Sequence, residues 1–197
     1  MTTTLRFALS AASAIALALA VSACTATDST TPEPDSASTI ADADLDELAE
    51  LGARDLIAAL EATPIEQRRT DLRASIEPDR VLLSAGDREI AVPIPEDQHY
   101  LSIAPYVSST HECFFHSLTT CTGELGGQDV SVRIVDDETG EVYVDESGAL
   151  HDNGFIGFWL PADRTTTVTV TTSDGEGSAT VSTGDEDLTC LTSLQIA

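Results

Sequence analysis

His111, Cys113, His116 and Cys121 place two imidazoles and two thiols within eleven residues, and a third thiol, Cys190, lies near the C-terminus. The chain has only four cysteines and four histidines, so this clustering has a chemical reading. Thiolate sulfur with imidazole nitrogen is the donor set that holds copper or zinc. Three thiolates in a trigonal arrangement suit Cu(I), and three thiolates with one imidazole suit tetrahedral Zn(II). Magnesium or calcium would need oxygen ligands, and the acidic residues show no EF-hand spacing. Two thiolates can also each give one electron to Cu(II), leaving Cu(I) and a disulfide.

The same residues admit a plainer reading. A Cys113–Cys121 disulfide would leave Cys190 a buried bystander, and a Cys121–Cys190 staple is equally legal. No Cys-X-X-Cys occurs, which disfavours a thioredoxin-like exchange enzyme. Phe114 and Phe115 are expected to wall the site from water. His99 and His151 read as ordinary surface or core residues, and Glu112 as solvated.

The compartment follows from the N-terminus. Arg6 precedes an apolar run from Phe7 to Val21, too short for a comfortable membrane span, and Val21-Ser22-Ala23-Cys24 closes it with small residues. Residues 1–23 therefore read as a lipoprotein signal peptide, with Cys24 lipidated as the new N-terminus. Residues 24–43, rich in Thr, Ser, Pro, Asp and Ala, read as a disordered tether that cannot bury enough apolar surface to offset its ordering entropy. The expected location is exported and lipid-anchored at the outer face of the cell membrane. With Cys24 carrying lipid, Cys113, Cys121 and Cys190 remain, an odd number that points to a free thiol, an intermolecular pair or a metal.

The formal net charge is −25, and the chain has no lysine. Nucleic acid would be repelled, so it is excluded as a partner. The body is large enough for one domain, or for a small helical part joined to a β domain.

The elements that must position the thiols are legible from periodicity. Leu45, Leu48 and Leu51 recur at three-residue steps before Gly52, and Leu56, Ile57 and Leu60 continue in a second short helix. Thr63-Pro64-Ile65-Glu66 predicts a capping box and a further helical turn. Val81–Leu83 and Glu89–Val92 flank Ala85-Gly86-Asp87 as a β-hairpin, and Pro93 and Pro95 suggest a boundary near residue 95. Beyond it, Tyr100–Ile103, Val130/Val132/Ile134, Val142/Val144 and Val168/Val170 read as strands, and Phe155–Leu160 as a central strand buried on both faces. The expected fold class is α+β: a small helical N-terminal part with a β-hairpin over 44–95, followed by a C-terminal antiparallel β-sandwich-like, metal-binding domain over 96–197. In its last strand Cys190 shares the core face with Thr192, Leu194 and Ile196.

The segment Pro95-Glu-Asp-Gln-His-Tyr-Leu-Ser-Ile-Ala-Pro-Tyr-Val107, with Thr110-His-Glu-Cys-Phe-Phe-His-Ser-Leu-Thr-Thr-Cys121, resembles the CueP family of periplasmic copper-binding proteins. The likeness continues through Gly123-Glu124-Leu125, Asp152-Asn153-Gly154-Phe155, Trp159-Leu160-Pro161 and Thr189-Cys190-Leu191-Thr192. It implies an exported copper-binding protein of copper tolerance in which Cys113, Cys121 and Cys190 match the family's copper-associated cysteines. It also implies reduction of Cu(II), a homodimer, and delivery of copper to a superoxide dismutase. The lipobox departs from the family pattern and favours surface sequestration over delivery. The primary expectation is a lipid-anchored copper-binding protein with metal ligands Cys113, Cys121, Cys190, His111 and His116, not an enzyme apart from cupric reduction by its own thiols. The alternatives are a disulfide-stapled cell-surface structural or interaction lipoprotein without metal, and a structural Zn protein.

Overall fold

The computed structural model describes residues 43–197; the expected signal peptide, Cys24 and the expected tether as far as residue 42 lie outside the described residues. Asp44 opens helix α1 (Leu45–Glu50) with a capping box: its carboxylate accepts the N–H groups of Asp46 and Glu47, and the Glu47 side chain accepts the N–H of Asp44. Helix α2 (Gly52–Glu61) follows at once. The corner between them is made by Gly52 at φ 73°, a left-handed conformation open to glycine without steric cost. Leu45, Leu48, Leu56, Ile57 and Leu60 turn inward and are buried. The capping box expected at Thr63–Glu66 is not formed. Thr63 Oγ1 donates instead to the Ala59 carbonyl, and a 3₁₀ turn (Ile65–Gln67) starts after Pro64 with no side-chain cap. The φ of Pro64, −55°, presets the turn without one.

Eleven strands follow: β1 (Arg73–Ile76), β2 (Arg80–Ala85), β3 (Arg88–Pro93), β4 (Gln98–Ile103), β5 (His116–Ser117), β6 (Asp129–Asp136), β7 (Val142–Ala149), β8 (Ile156–Pro161), β9 (Thr165–Thr172), β10 (Gly175–Ser182) and β11 (Cys190–Leu191). The body is mostly β, with little helix. The expected hairpin is β2–β3, turned at Gly86 with φ 58°. It belongs to an antiparallel sheet in the order β3-β2-β1-β5, and the two helices cover it. Strand β5 joins this sheet from far along the chain, with His116 opposite Ile76 and Ser117 opposite Ser75.

Two further sheets have the orders β11-β4-β8 and β10-β9-β6-β7. Strand β4 presents Tyr100 to the core shared with α1, α2 and the hairpin, and Leu101 and Ile103 to a second core. That second core holds Val130, Val132 and Ile134 of β6 and Val168 and Val170 of β9. Burial on both faces thus belongs to β4. The apolar run expected to be a central strand, β8, pairs only with β4 and lies at an edge of its sheet. Its Trp159 is covered by Arg54 of α2, whose guanidinium carbon sits 4.5 Å from the ring centroid while Nη2 donates to Gln98 at 2.7 Å. The pairing is not wholly antiparallel: β11 runs parallel to β4, with Cys190 opposite Ser102. No helix among the described residues is long and apolar enough to cross a membrane.

Candidate metal centre

Backbone pairing brings the distant thiol to the local pair. Strand β11 holds Cys190 beside β4, and the N–H groups of Thr189 and Cys190 both donate to the Phe114 carbonyl, at 2.9 and 3.1 Å. This docks the loop carrying Cys113 against β11. Thr189 Oγ1 accepts the N–H of His116 at 3.0 Å and donates to the Ile76 carbonyl at 2.6 Å, tying β11, β5 and β1 together. After β5 the chain turns back: Cys121 N–H donates to the Ser117 carbonyl, and Ser117 N–H approaches the Cys121 sulfur at 3.4 Å.

The three sulfurs meet. Cys113 and Cys190 are joined as a disulfide across 77 residues, with Cα atoms 5.7 Å apart, and Cys121 is free. Both disulfides open at the sequence level, Cys113–Cys121 and Cys121–Cys190, are therefore replaced by a third pairing. The reason is the β11–β4 register, which sets Cys190 directly behind the Cys113 loop. The Cys121 sulfur lies 3.5 Å from that of Cys113. Both imidazoles are present as well. His116 Nδ1 is 3.7 Å from the Cys190 sulfur, and the donor atoms of His111, Cys113 and Cys121 lie within 4.8 Å of one another, as do those of His116, Cys121 and Cys190.

The wall around these groups is not the expected one. Phe114 and Phe115 are 53% and 39% exposed, and their rings stack edge-to-face with each other. Water is excluded by Phe155 and Ala104, both buried against Cys190. The Phe155 ring lies 4.4 Å from the His116 ring and 6.4 Å from that of His111, centroid to centroid. Phe155 is held there by a tight turn: Gly123 N–H donates to the Asn153 carbonyl at 2.6 Å, and Phe155 N–H to Asn153 Oδ1 at 3.0 Å. His99 and His151 stay apart from the sulfurs. His99 is buried with Nε2 3.0 Å from the Leu188 carbonyl oxygen, while His151 and Glu112 are exposed.

Two charged residues of the N-terminal part complete the centre, and the sequence reading did not find them. Glu61, the last residue of α2, is buried and places Oε1 2.8 Å from His116 Nε2. It also accepts from Ser102 Oγ at 3.1 Å and Asn153 Nδ2 at 3.2 Å. The His116 contact lies off the N–H direction, so it is a charge contact and not a directed hydrogen bond. Arg68 donates through Nη1 to the Cys121 carbonyl at 2.8 Å, while its buried Nε and Nη2 meet no acceptor among the described residues. A signal for Glu61 did exist. It stands four residues after Ile57, on the apolar stripe of its helix, where a carboxylate is out of place. Arg68 leaves no comparable trace in the sequence.

These contacts set the charge states. Burial opposes a charge on His116, but Cys121 and Glu61 outweigh it and raise its pKa to about 9. Burial pushes Glu61 up, and the contacts with His116 and Asn153 prevail and hold it below its usual range. Burial likewise pushes Cys121 up, and His116, the Ser117 N–H and the Arg68 charge prevail, leaving the thiol below its ordinary value. The expected outcome is that alkylation of Cys121 by iodoacetamide, with the disulfide intact, half-saturates at a lower pH than a model thiol. His116→Gln should move that midpoint upward, and a pH series of alkylation rates reads it directly.

As a donor set, three sulfurs and two imidazole nitrogens gathered about Cys121, with a buried carboxylate and a half-buried guanidinium behind them, fit a soft ion such as copper once the disulfide is reduced. Carboxylates do not enter either cluster, which sets the centre apart from calcium or magnesium sites. The comparisons with known proteins agree. The family model described as "Periplasmic copper-binding protein CueP" matches residues 55–195. The solved structure titled "Crystal Structure of S.CueP" is similar with a TM-score of 0.68 and 34% identity, covering 74% of this chain and 90% of that one. No curated protein matches the chain. The chain belongs to the CueP family of periplasmic copper-binding proteins.

Proposed function

We propose that the protein is exported behind a signal peptide spanning 1–23, held by lipid on Cys24 at the outer face of the membrane, and displayed on a tether over 24–43. There it binds Cu(I) through Cys113, Cys121 and Cys190, with His111 and His116 as nitrogen donors. The observation that supports this most is the meeting of all three sulfurs and both imidazoles around Cys121. Two thiolates can also reduce two Cu(II) ions to Cu(I), each giving one electron, with formation of one sulfur–sulfur bond. The Cys113–Cys190 disulfide is one form that such oxidation would leave.

Anaerobic competition of the reduced full-length protein against a Cu(I) chelator tests the reading. Tight binding is expected. The Cys113→Ala, Cys121→Ala double variant should lose more than about 100-fold in affinity, since even changes behind the ligands cost about 10–100-fold. Unchanged binding in that variant would refute the assignment. A second reading, a disulfide-stapled surface domain without metal, draws on the Cys113–Cys190 bond alone. It requires that bond to persist in protein taken from native membranes under mild reductant, and thiol counting by mass spectrometry decides it.

A further inference from the structure

The sulfurs and imidazoles do not form a single ring of donors. They fall into two sets that share one residue. His111, Cys113 and Cys121 make the first, and His116, Cys121 and Cys190 the second. The sets differ in depth. His111 is exposed and Cys113 half-buried, whereas His116 and Cys190 are 0% and 1% exposed. An open cleft of about 320 Å³ is lined by Glu112 with His111 and Cys113 of the outer set, and reaches Cys190 of the inner one. Phe155 lies against the imidazole of each. Only the deeper imidazole has a buried carboxylate behind it, Glu61.

From this arrangement we infer that copper is captured at the outer set and passed to the inner set, with Cys121 bonded to the ion throughout. The inference rests on the copper-binding reading above and adds a direction and an order to it. It applies to the reduced protein, after a dithiol has opened the Cys113–Cys190 bond. In the transfer the bonds from Cu(I) to His111 and Cys113 break, and bonds to Cys190 and His116 form. One proton moves from the inner Cys190–His116 pair to the departing Cys113 sulfur, so no electron is exchanged and the ion stays Cu(I). The shared sulfur matters because an ion that never drops below one thiolate bond is never released to water between stations. The outer set is accessible enough to accept copper from a carrier. The inner set adds the buried His116 and Cys190, and Glu61, fixed by Ser102 and Asn153, stands behind its imidazole.

A single resident site and a two-station path differ in kinetics. Reduced full-length protein is mixed anaerobically with Cu(I)–bathocuproine disulfonate, and the uptake rate is read by stopped flow. The equilibrium affinity is read separately by competition with the same chelator. His111→Ala should slow uptake by roughly tenfold or more, while costing less affinity than His116→Gln does, because the ion comes to rest on the inner set. His116→Gln should do the reverse, keeping fast uptake and losing about tenfold or more in affinity. X-ray absorption of the loaded proteins adds an independent readout: nitrogen ligation persists in His111→Ala and is lost in His116→Gln. If His111→Ala costs as much affinity as His116→Gln, or leaves the uptake rate unchanged, the path is overturned. If the unaltered protein takes no copper from the chelator, the copper reading falls and the path with it.

Discussion

Glu61→Ala should lower the unfolding free energy by about 3–5 kcal/mol, the usual cost of removing one partner of a buried charge pair. The carboxylate faces His116 at 2.8 Å, and both side chains are buried. The substitution also strands the Ser102 hydroxyl and the Asn153 amide, which donate to the same carboxylate, and buried donors left without partners add to the cost. Denaturant unfolding of the metal-free protein reads the loss. Glu61→Gln keeps the shape and one acceptor and should lose less. Equal stability of Glu61→Ala and the unaltered protein would mean that the pair contributes nothing to the fold.

Gly154→Ala should be nearly as damaging, at roughly 2–5 kcal/mol, for a different reason. Gly154 has φ 79°, and a Cβ there would lie 2.7 Å from the backbone carbon and oxygen of Gly123. The left-handed conformation costs a non-glycine residue roughly 1–2 kcal/mol, and forcing atoms into a packed site a further 1–3 or so. The neighbour is backbone and cannot swing aside. Relief would have to come from moving the turn that carries Asn153 and Phe155, so the substitution should also loosen the wall beside His116. Gly148→Ala is the control. Its Cβ would meet nothing within 4 Å, and an effect within about ±0.5 kcal/mol is expected. Comparing the two in thermal and denaturant melts separates strain at the site from the generic loss of a glycine.

The parts of this protein that the sequence announces are those where a single rule governs. Period-two alternation in Val130, Val132 and Ile134 and in Val168 and Val170 marks strands whose one face is buried, and β6 and β9 are such strands. Gly52 and Gly86 mark corners because they take positive φ. The thiols and imidazoles were legible as a group by their rarity and spacing. What stayed hidden depends on pairing between distant segments. A two-residue strand such as β5 has no periodicity of its own and exists because β1 offers it an edge. The Cys113–Cys190 connection follows from the parallel register of β11 on β4, which no local pattern encodes. The aromatic wall was misplaced for the same reason: nearness in sequence favoured Phe114 and Phe115, and the turn at Asn153–Gly154 supplied Phe155.

The position of His116 carries one more consequence. It stands on a strand that edges the N-terminal sheet, hydrogen-bonded across to β1 while its ring serves the sulfurs. Cutting the chain at the prolines near residue 95 would therefore not yield a spare scaffold and a working thiol module. Each fragment would keep an open flank, and the second would lose the acid that steadies its histidine. Grafting the cysteine-bearing half onto another host protein should fail unless the helices travel with it, and in the cell the whole body should be cleared or retained as one piece.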